Sequence, residues 1–431
     1  MSTQRLPRRG FVLLASAATA ALVLAGCGSS SAGSESDTIN VLFPQTHAGA
    51  SEILKKEFEA KTGATVNVTL VPYEELLQKA TLDVQSGAGT YDVVDQWYVN
   101  VGSLAESGAI VPLDDVIEGQ DVDVDDFIPS IYDAYSLHDG QRYSLPFDGD
   151  AEVLFYNKEI LERNGVEPPT TWDEYAAAVQ KITEAESSDG VYGAAVMAQK
   201  APIIIVSTYA NRLAGFGGTF LDEDGNPKLD TPEAIAAAEA LAEVLPHAMP
   251  TPSETAFDQA LGAFLGGKVA FMEFWTDLGV FAEDESQSDI AGKWGVVQLP
   301  AGGDADKSVA ALDAGFTMTI SSAAPNPELA AEFVAFATSA ETNLQLITTT
   351  GSGIDANRES TLTSQDYIDF APEVQKAASA SLDGALVWPT SPQSPELVQA
   401  LADGLAEMVA SGADPAETMR AVQKEWESIL G

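Results

Sequence analysis

Three tryptophans occupy positions where strands would end. Trp97 follows YDVVDQ, Trp275 follows KVAFMEF, and Trp388 precedes Pro389 in LVWPTSP. The ordinary fate of a Trp is the core, but one at a strand end beside Pro or polar residues is poorly placed for burial. α/β sheets also take ligands beyond the carboxyl ends of their strands. Aromatic faces stack on the C–H faces of sugar rings, and a carboxylate accepts pairs of hydroxyl hydrogens. The segment YSLPFDGDAEVLFYNKEIL supplies such acids, Asp148 and Asp150, beside Pro146 and Gly149 in what reads as a crossing between lobes.

Other chemistry is poorly supported. Gly262, Gly267 and Lys268 have the spacing of a phosphate loop, yet Val269 stands where Ser or Thr should hold magnesium. The order there is also helix then strand, the reverse of what such a loop requires. Asp222, Asp224, Asn226 and Glu233 lie at calcium-loop offsets, but Pro227 takes the place that needs Gly and cannot adopt a positive φ. A polar hairpin turn is expected there, and DVDVDDF reads as a solvated acidic face. No G-x-S-x-G is present. Carboxylate pairs for glycoside hydrolysis remain open by counting, since 65 Asp and Glu offer many pairs.

The elements that must position these residues begin at Thr38. TINVLF, SEILKKEFEAKTG, TVNVTLV, YEELLQKATLDVQSG and YDVVDQW alternate strand, helix, strand, helix, strand, the pattern of an α/β domain with a largely parallel sheet. Gly63 and Gly87 lie just past helical runs, where a left-handed cap is wanted. From Asn157 onward Ala-rich helices take over, such as WDEYAAAVQKITEAE and TPEAIAAAEALAEVL, opened by Thr or Pro-Glu. No long Pro/Gly/Ser linker interrupts 38–431, which favours lobes sharing crossing strands over a string of independent domains.

Length and charge agree. At about 150 residues per domain, 431 residues allow two to three domains, and 45% apolar residues can build a sizeable core. With 21 Lys and Arg against 65 Asp and Glu, the net charge is -44. That balance repels phosphate backbones and anionic headgroups, so nucleic acid is not an expected partner. One Cys and three scattered His exclude an intrachain disulfide and give no support to a metal centre. No cofactor is expected.

Arg5, Arg8 and Arg9 precede an apolar run from Phe11 to Gly26, 16 residues long and shorter than the about 20 needed to span a bilayer. It ends in Leu24-Ala25-Gly26-Cys27 and is followed by Ser and Gly. This resembles a bacterial lipoprotein signal, which implies a signal peptide over 1–26, lipidation of Cys27 and a flexible tether over 27–37.

Taken in order, YSLPFD, LFYNKEILERNGVEPPTTWDEY, GGKVAFMEFWTDLG, KWGVVQLPAGG and GFTMTISSAAPNPELAAEFVAFATSAETN resemble blocks of bacterial extracellular solute-binding proteins of family 1, the maltose-binding type. The resemblance implies a type II periplasmic-binding-protein-like α/β fold. In it, two lobes (38–146 with 299–340, and 147–298 with 341–431) are joined by hinge strands around a cleft. It implies that Asp150 meets a sugar hydroxyl and that Trp275 stacks on a ring. It further implies that Trp97, or equally Gln96, supplies a first-lobe contact and Trp388 a C-terminal one, with Thr46 and His47 in a contact loop. Tyr209, in APIIIVSTYANRLAGFGG, matches less well, and core burial is its alternative.

The expected function is therefore a lipid-anchored, monomeric, non-enzymatic receptor on the outer face of the membrane. It would capture a sugar, oligosaccharide or polyol for an ABC permease. Two other readings stay open: a surface-anchored carbohydrate-active enzyme, which would show turnover, and a receptor for a cation such as a polyamine, which the acid excess would suit.

Overall fold

The computed structural model describes residues 37–431 apart from Asp150, Asp306 and Asp383. Cys27 and Asp150 thus lie outside the described residues. Eleven strands are present among those described: β1 (Thr38–Pro44), β2 (Thr65–Val71), β3 (Val93–Trp97), β4 (Leu137–His138), β5 (Gln141–Arg142), β6 (Leu145–Asp148), β7 (Glu152–Asn157), β8 (Tyr192–Ala195), β9 (Val269–Trp275), β10 (Trp294–Val297) and β11 (Phe316–Ile320). They form a five-stranded sheet in the order β2-β1-β3-β11-β6, a four-stranded sheet in the order β10-β7-β9-β8, and the small β4-β5 hairpin.

The chain passes between the two large sheets twice along strand connections, directly from β6 to β7 and by the longer segment from β10 to β11. This makes the sheets less parallel than the local pattern suggests. β1 pairs parallel with β2 and β3, and β8 parallel with β9, but β11 runs antiparallel to β3 and β6, and β7 antiparallel to β9 and β10. A parallel neighbour needs a crossover that returns to its own sheet. Strands entered from the opposite sheet have no such constraint.

Local chemistry sets the element boundaries. The first helix, Ala48–Thr62, ends on Gly63 at φ 79, whose N–H reaches the Glu59 carbonyl. Gly87 likewise has a positive φ of 68. Asn157, Thr171 and Thr231 cap the helices Lys158–Asn164, Trp172–Glu186 and Pro232–Val244 by accepting from the N–H of Ile160, Glu174 and Ala234. The Asp222 carboxylate accepts from the N–H groups of Asp224 and Asn226 within a polar turn. DVDVDDF is more than a wetted face, because Asp126 pairs with the buried Arg358 guanidinium at 3.4 Å.

β3 and β9 are buried along their whole lengths, as strands covered on both faces must be. Their last residues are Trp97 and Trp275. Both indoles are thereby delivered to strand carboxyl ends, one from each large sheet. Gly149, in the short β6 to β7 link, lies so close to the 355–357 segment that a Cβ there would fall 2.0 Å from the Ala356 carbonyl oxygen. Only a residue without a side chain lets this crossing lie flat against that loop. Among the described residues no helix is long and apolar enough to cross a membrane.

Candidate functional site

His47 closes the turn after β1 and is almost wholly buried. Its Nδ1 lies 2.6 Å from Asp95 Oδ2 on β3, and its Nε2 lies 3.1 Å from Asp148 Oδ2 at the end of β6. Phe316 meets the imidazole edge-on, 4.8 Å between centroids. Burial opposes the imidazolium, but the Asp95 charge and the hydrogen bonds to Asp148 and Asp95 outweigh it, raising the pKa to about 10. His47 is therefore a cation donating from both nitrogens. Asp95 is pushed up to about 6 by its own burial, with His47 pulling it back. The other oxygen of Asp148 accepts from the Asp355 N–H at 2.6 Å, so both carboxylate oxygens already have protein donors.

Trp275 donates from Nε1 to Asp313 Oδ1 at 2.9 Å, and its ring packs against Phe257 at 4.9 Å. Asp277, two residues further, has a buried Oδ1 with no hydrogen-bond partner. Burial and then the Asp148 charge raise the Asp277 carboxyl to about 7, with His47 opposing. Thr46, His47, Asp148 and Trp275 line one cavity of about 200 Å³ together with Tyr73, Phe257, Asp277, Phe316 and the backbone of Gly351 and Gly353. The cavity thus draws on both large sheets.

The other sequence candidates are placed differently. Gln96 and Trp97 are both buried and are not among the residues that line this cavity. The Gln96 Oε1 accepts from Asn100 Nδ2 at 3.0 Å, and the Trp97 Nε1 donates to the Asp313 carbonyl at 2.8 Å. Trp388 is 2% exposed, meets Trp97 edge-on at 5.7 Å, and lines a separate cavity of about 880 Å³. Tyr209 is wholly buried, and its hydroxyl donates to the Ala234 carbonyl at 3.1 Å. The expectation that Trp388 and Tyr209 face the same cleft is not met in this structure. The first is held by aromatic packing and the second by helix packing.

Sequence reasoning missed Asp277, Asp95, Asp313, Tyr73 and Phe257. Asp277 had a signal in its place two residues after Trp275, at the carboxyl end of a buried strand. Asp313 had none, since only the fold brings it between two indoles. Behind it lies a further buried group. Asn211 donates from Nδ2 to Glu152, and Arg212 forms a two-point bridge to Glu273, both contacts 2.9 Å. Burial, then the charges of Asp313 and Glu273, hold the Glu152 carboxyl well above the usual carboxylate range. Burial likewise raises Asp313 to about 7.

A buried cation between two acids, an unsatisfied carboxylate oxygen and aromatic faces form a site for holding a small polar ligand. Residues 43–344 match the family model of the bacterial extracellular solute-binding proteins. The chain belongs to that family. Its relatives are binding proteins rather than enzymes. One, a binding protein of Brucella abortus, is 28% identical over 289 residues, which is 65% of this chain and 66%, just under two thirds, of that protein. A solute-binding protein of an ABC transporter from Agrobacterium radiobacter, solved in complex with ribitol, superposes with a TM-score of 0.80 at 26% identity, covering 91% of this chain and 98% of the other. A maltose-bound protein of T. maritima superposes at 0.81 with 20% identity, covering 91% and 99%. The fold is that of type II periplasmic binding proteins.

Proposed function

We propose that this chain is the solute receptor of an ABC importer, held outside the membrane by a lipid on Cys27, and that it captures a sugar or polyol for the permease. The observation that carries the reading is the convergence of Thr46, His47, Asp148 and Asp277 with the aromatic rings of Trp275, Phe257 and Phe316 on one cavity, which the carboxyl ends of β1, β6 and β9 reach. Charged hydrogen-bonding groups orient hydroxyls, and flat rings cover C–H faces. The ribitol complex of the Agrobacterium relative supports a polyol or sugar as the ligand class.

In this reading 38–146 with 299–340 and 147–298 with 341–431 act as the two lobes, and ligand favours the state in which both sheets contact it. Asp150, which lies outside the described residues, is carried into the proposed site from the family resemblance alone. Calorimetry of the purified chain against sugars, polyols and polyamines tests the proposal. Saturable binding of a sugar or polyol without turnover is expected. Binding of polyamines alone, or release of hydrolysis products, overturns it.

A further inference from the structure

The cavity has two features that bear on what it can hold. The first is its size. At about 200 Å³ it is smaller than the roughly 300 to 1,000 Å³ of most small-molecule sites.

One end is closed by backbone. Gly351 and Gly353 line it, and a Cβ on Gly49 would fall 1.9 Å from the Gly351 carbonyl oxygen. A Cβ on Gly353 would lie 2.9 Å from that of Thr46, and Ala50 N–H donates to the Ser352 carbonyl at 3.2 Å. The same loop is tied to both sheets, because the Asp355 N–H bonds Asp148 and the Thr276 hydroxyl bonds the Asp355 carboxylate. A wall seated main chain against main chain has no side chain to swing aside for a longer ligand.

The second feature is Asp277. Among the described residues lining this cavity, it is the carboxylate with a buried oxygen lacking a partner. No side chain of the described residues is seen donating to this carboxylate, so a hydroxyl of a ligand in the cavity can bond it without displacing a side-chain donor. Asp148, by contrast, has both oxygens engaged.

We infer that this receptor is built for a single unit, a five- or six-carbon polyol or one sugar ring, and that Asp277 is the carboxylate that reads its hydroxyls. The inference rests on the receptor reading above and narrows it. The groups facing Asp277 are Asp148 and His47 across the cavity, Asp258 at its rim and Tyr367 on the helix Gln365–Phe370. Protonation of Asp277 removes an acceptor, so single-unit ligands should bind more weakly as pH falls below 7 and should expel a proton on binding there.

The test is calorimetry of the full chain in detergent with ribitol, mannitol, glucose, maltose, maltotriose, spermidine and choline, at pH 8 and pH 6. Saturable binding of at least one single-unit ligand is expected, with maltose and maltotriose at least about a hundredfold weaker. Losing a hydrogen bond to a charged group corresponds to about tenfold or more in affinity, so Asp277→Asn should weaken the best ligand by that much at pH 8 and flatten its pH dependence.

Heats measured for wild type in two buffers at pH 6.5 report proton release without any variant. Maltose or maltotriose binding as tightly as the best single unit overturns the size inference and leaves the receptor reading intact. Wild-type affinity and pH profile in a folded Asp277→Asn, or no proton release from wild type, overturns the role of Asp277. Silence toward every carbohydrate and polyol, or binding of spermidine or choline alone, overturns the receptor reading itself.

Discussion

Trp275 donates its indole N–H to the carboxylate of Asp313 at 2.9 Å, while the main-chain carbonyl of the same Asp313 accepts from Trp97 at 2.8 Å. The two tryptophans end strands of different sheets, and Asp313 lies on the segment joining β10 to β11. One residue thus fixes an aromatic from each sheet. Trp275 lines the cavity, and Trp97 does not.

Asp313→Ala should therefore be read out at Trp275. It removes the carboxylate and leaves the indole N–H buried without an acceptor, which costs about 1 to 3 kcal/mol. Trp97 keeps its partner, because that is main chain. Ligand affinity and unfolding midpoint should both fall. An affinity equal to wild type would show that the bond does not position the ring.

Trp275→Ala truncates a side chain only 5% exposed. Cavity formation should cost about 3 to 5 kcal/mol of stability, and the lost contact should weaken ligand binding as well. Urea melts together with calorimetry separate the two effects. A stability change under about 1 kcal/mol would mean that the ring is far less packed than this structure places it.

The pH dependence of unliganded stability has a defined sign. His47 is held at about 10, above its unfolded value near 6.5, so its contribution is fully present below 6.5 and is lost as pH rises through 10. Asp95, raised to about 6, and Asp313, raised to about 7, act in the same direction at lower pH. Each favours the fold most below its unfolded value near 4 and loses that support as pH climbs through its folded value. Wild type should melt progressively lower from pH 7 to pH 10. His47→Gln should be less stable at pH 6 and should lose most of the slope above 6.5, whereas an unchanged slope would assign it to other groups.

Gly149→Ala should be severely destabilising or fail to accumulate, because its Cβ would meet the Ala356 carbonyl oxygen at 2.0 Å, a contact with main chain. Gly119→Ala is the control. It ends the helix Asp114–Gly119, and nothing lies within 4 Å of its Cβ position, so it should be neutral or gain up to about 1 kcal/mol. Thermal melts of both decide the matter.

Cys27→Ser should leave melting and ligand binding unchanged while moving the protein from the detergent phase to the aqueous phase. Equal partitioning of the two forms would overturn the anchor.

Much was legible in the sequence because its causes are local. Short β-rich runs alternating with helical patterns marked β1, β2 and β3, and Gly63 marked a left-handed cap. Thr171 and Thr231 marked helix starts, and the ordered motif blocks indicated the family and its fold. Four residues singled out from sequence, Thr46, His47, Asp148 and Trp275, do share a cavity. Spacing gives the phase of an element, however, and not the element that will face it. His47 and Asp148 are 101 positions apart, so the charge on the imidazole exists only once β1, β3 and β6 share a sheet. The same reason explains Trp388 and Tyr209, whose neighbours Trp97 and Ala234 come from distant segments, and Asp277, whose unmatched oxygen appears only when the cavity closes around it. Composition and local pattern determined which elements form and which chemistry they carry. The long-range pairing of two sheets through short crossings decided which side chains are buried, which are charged and which are left to meet a ligand.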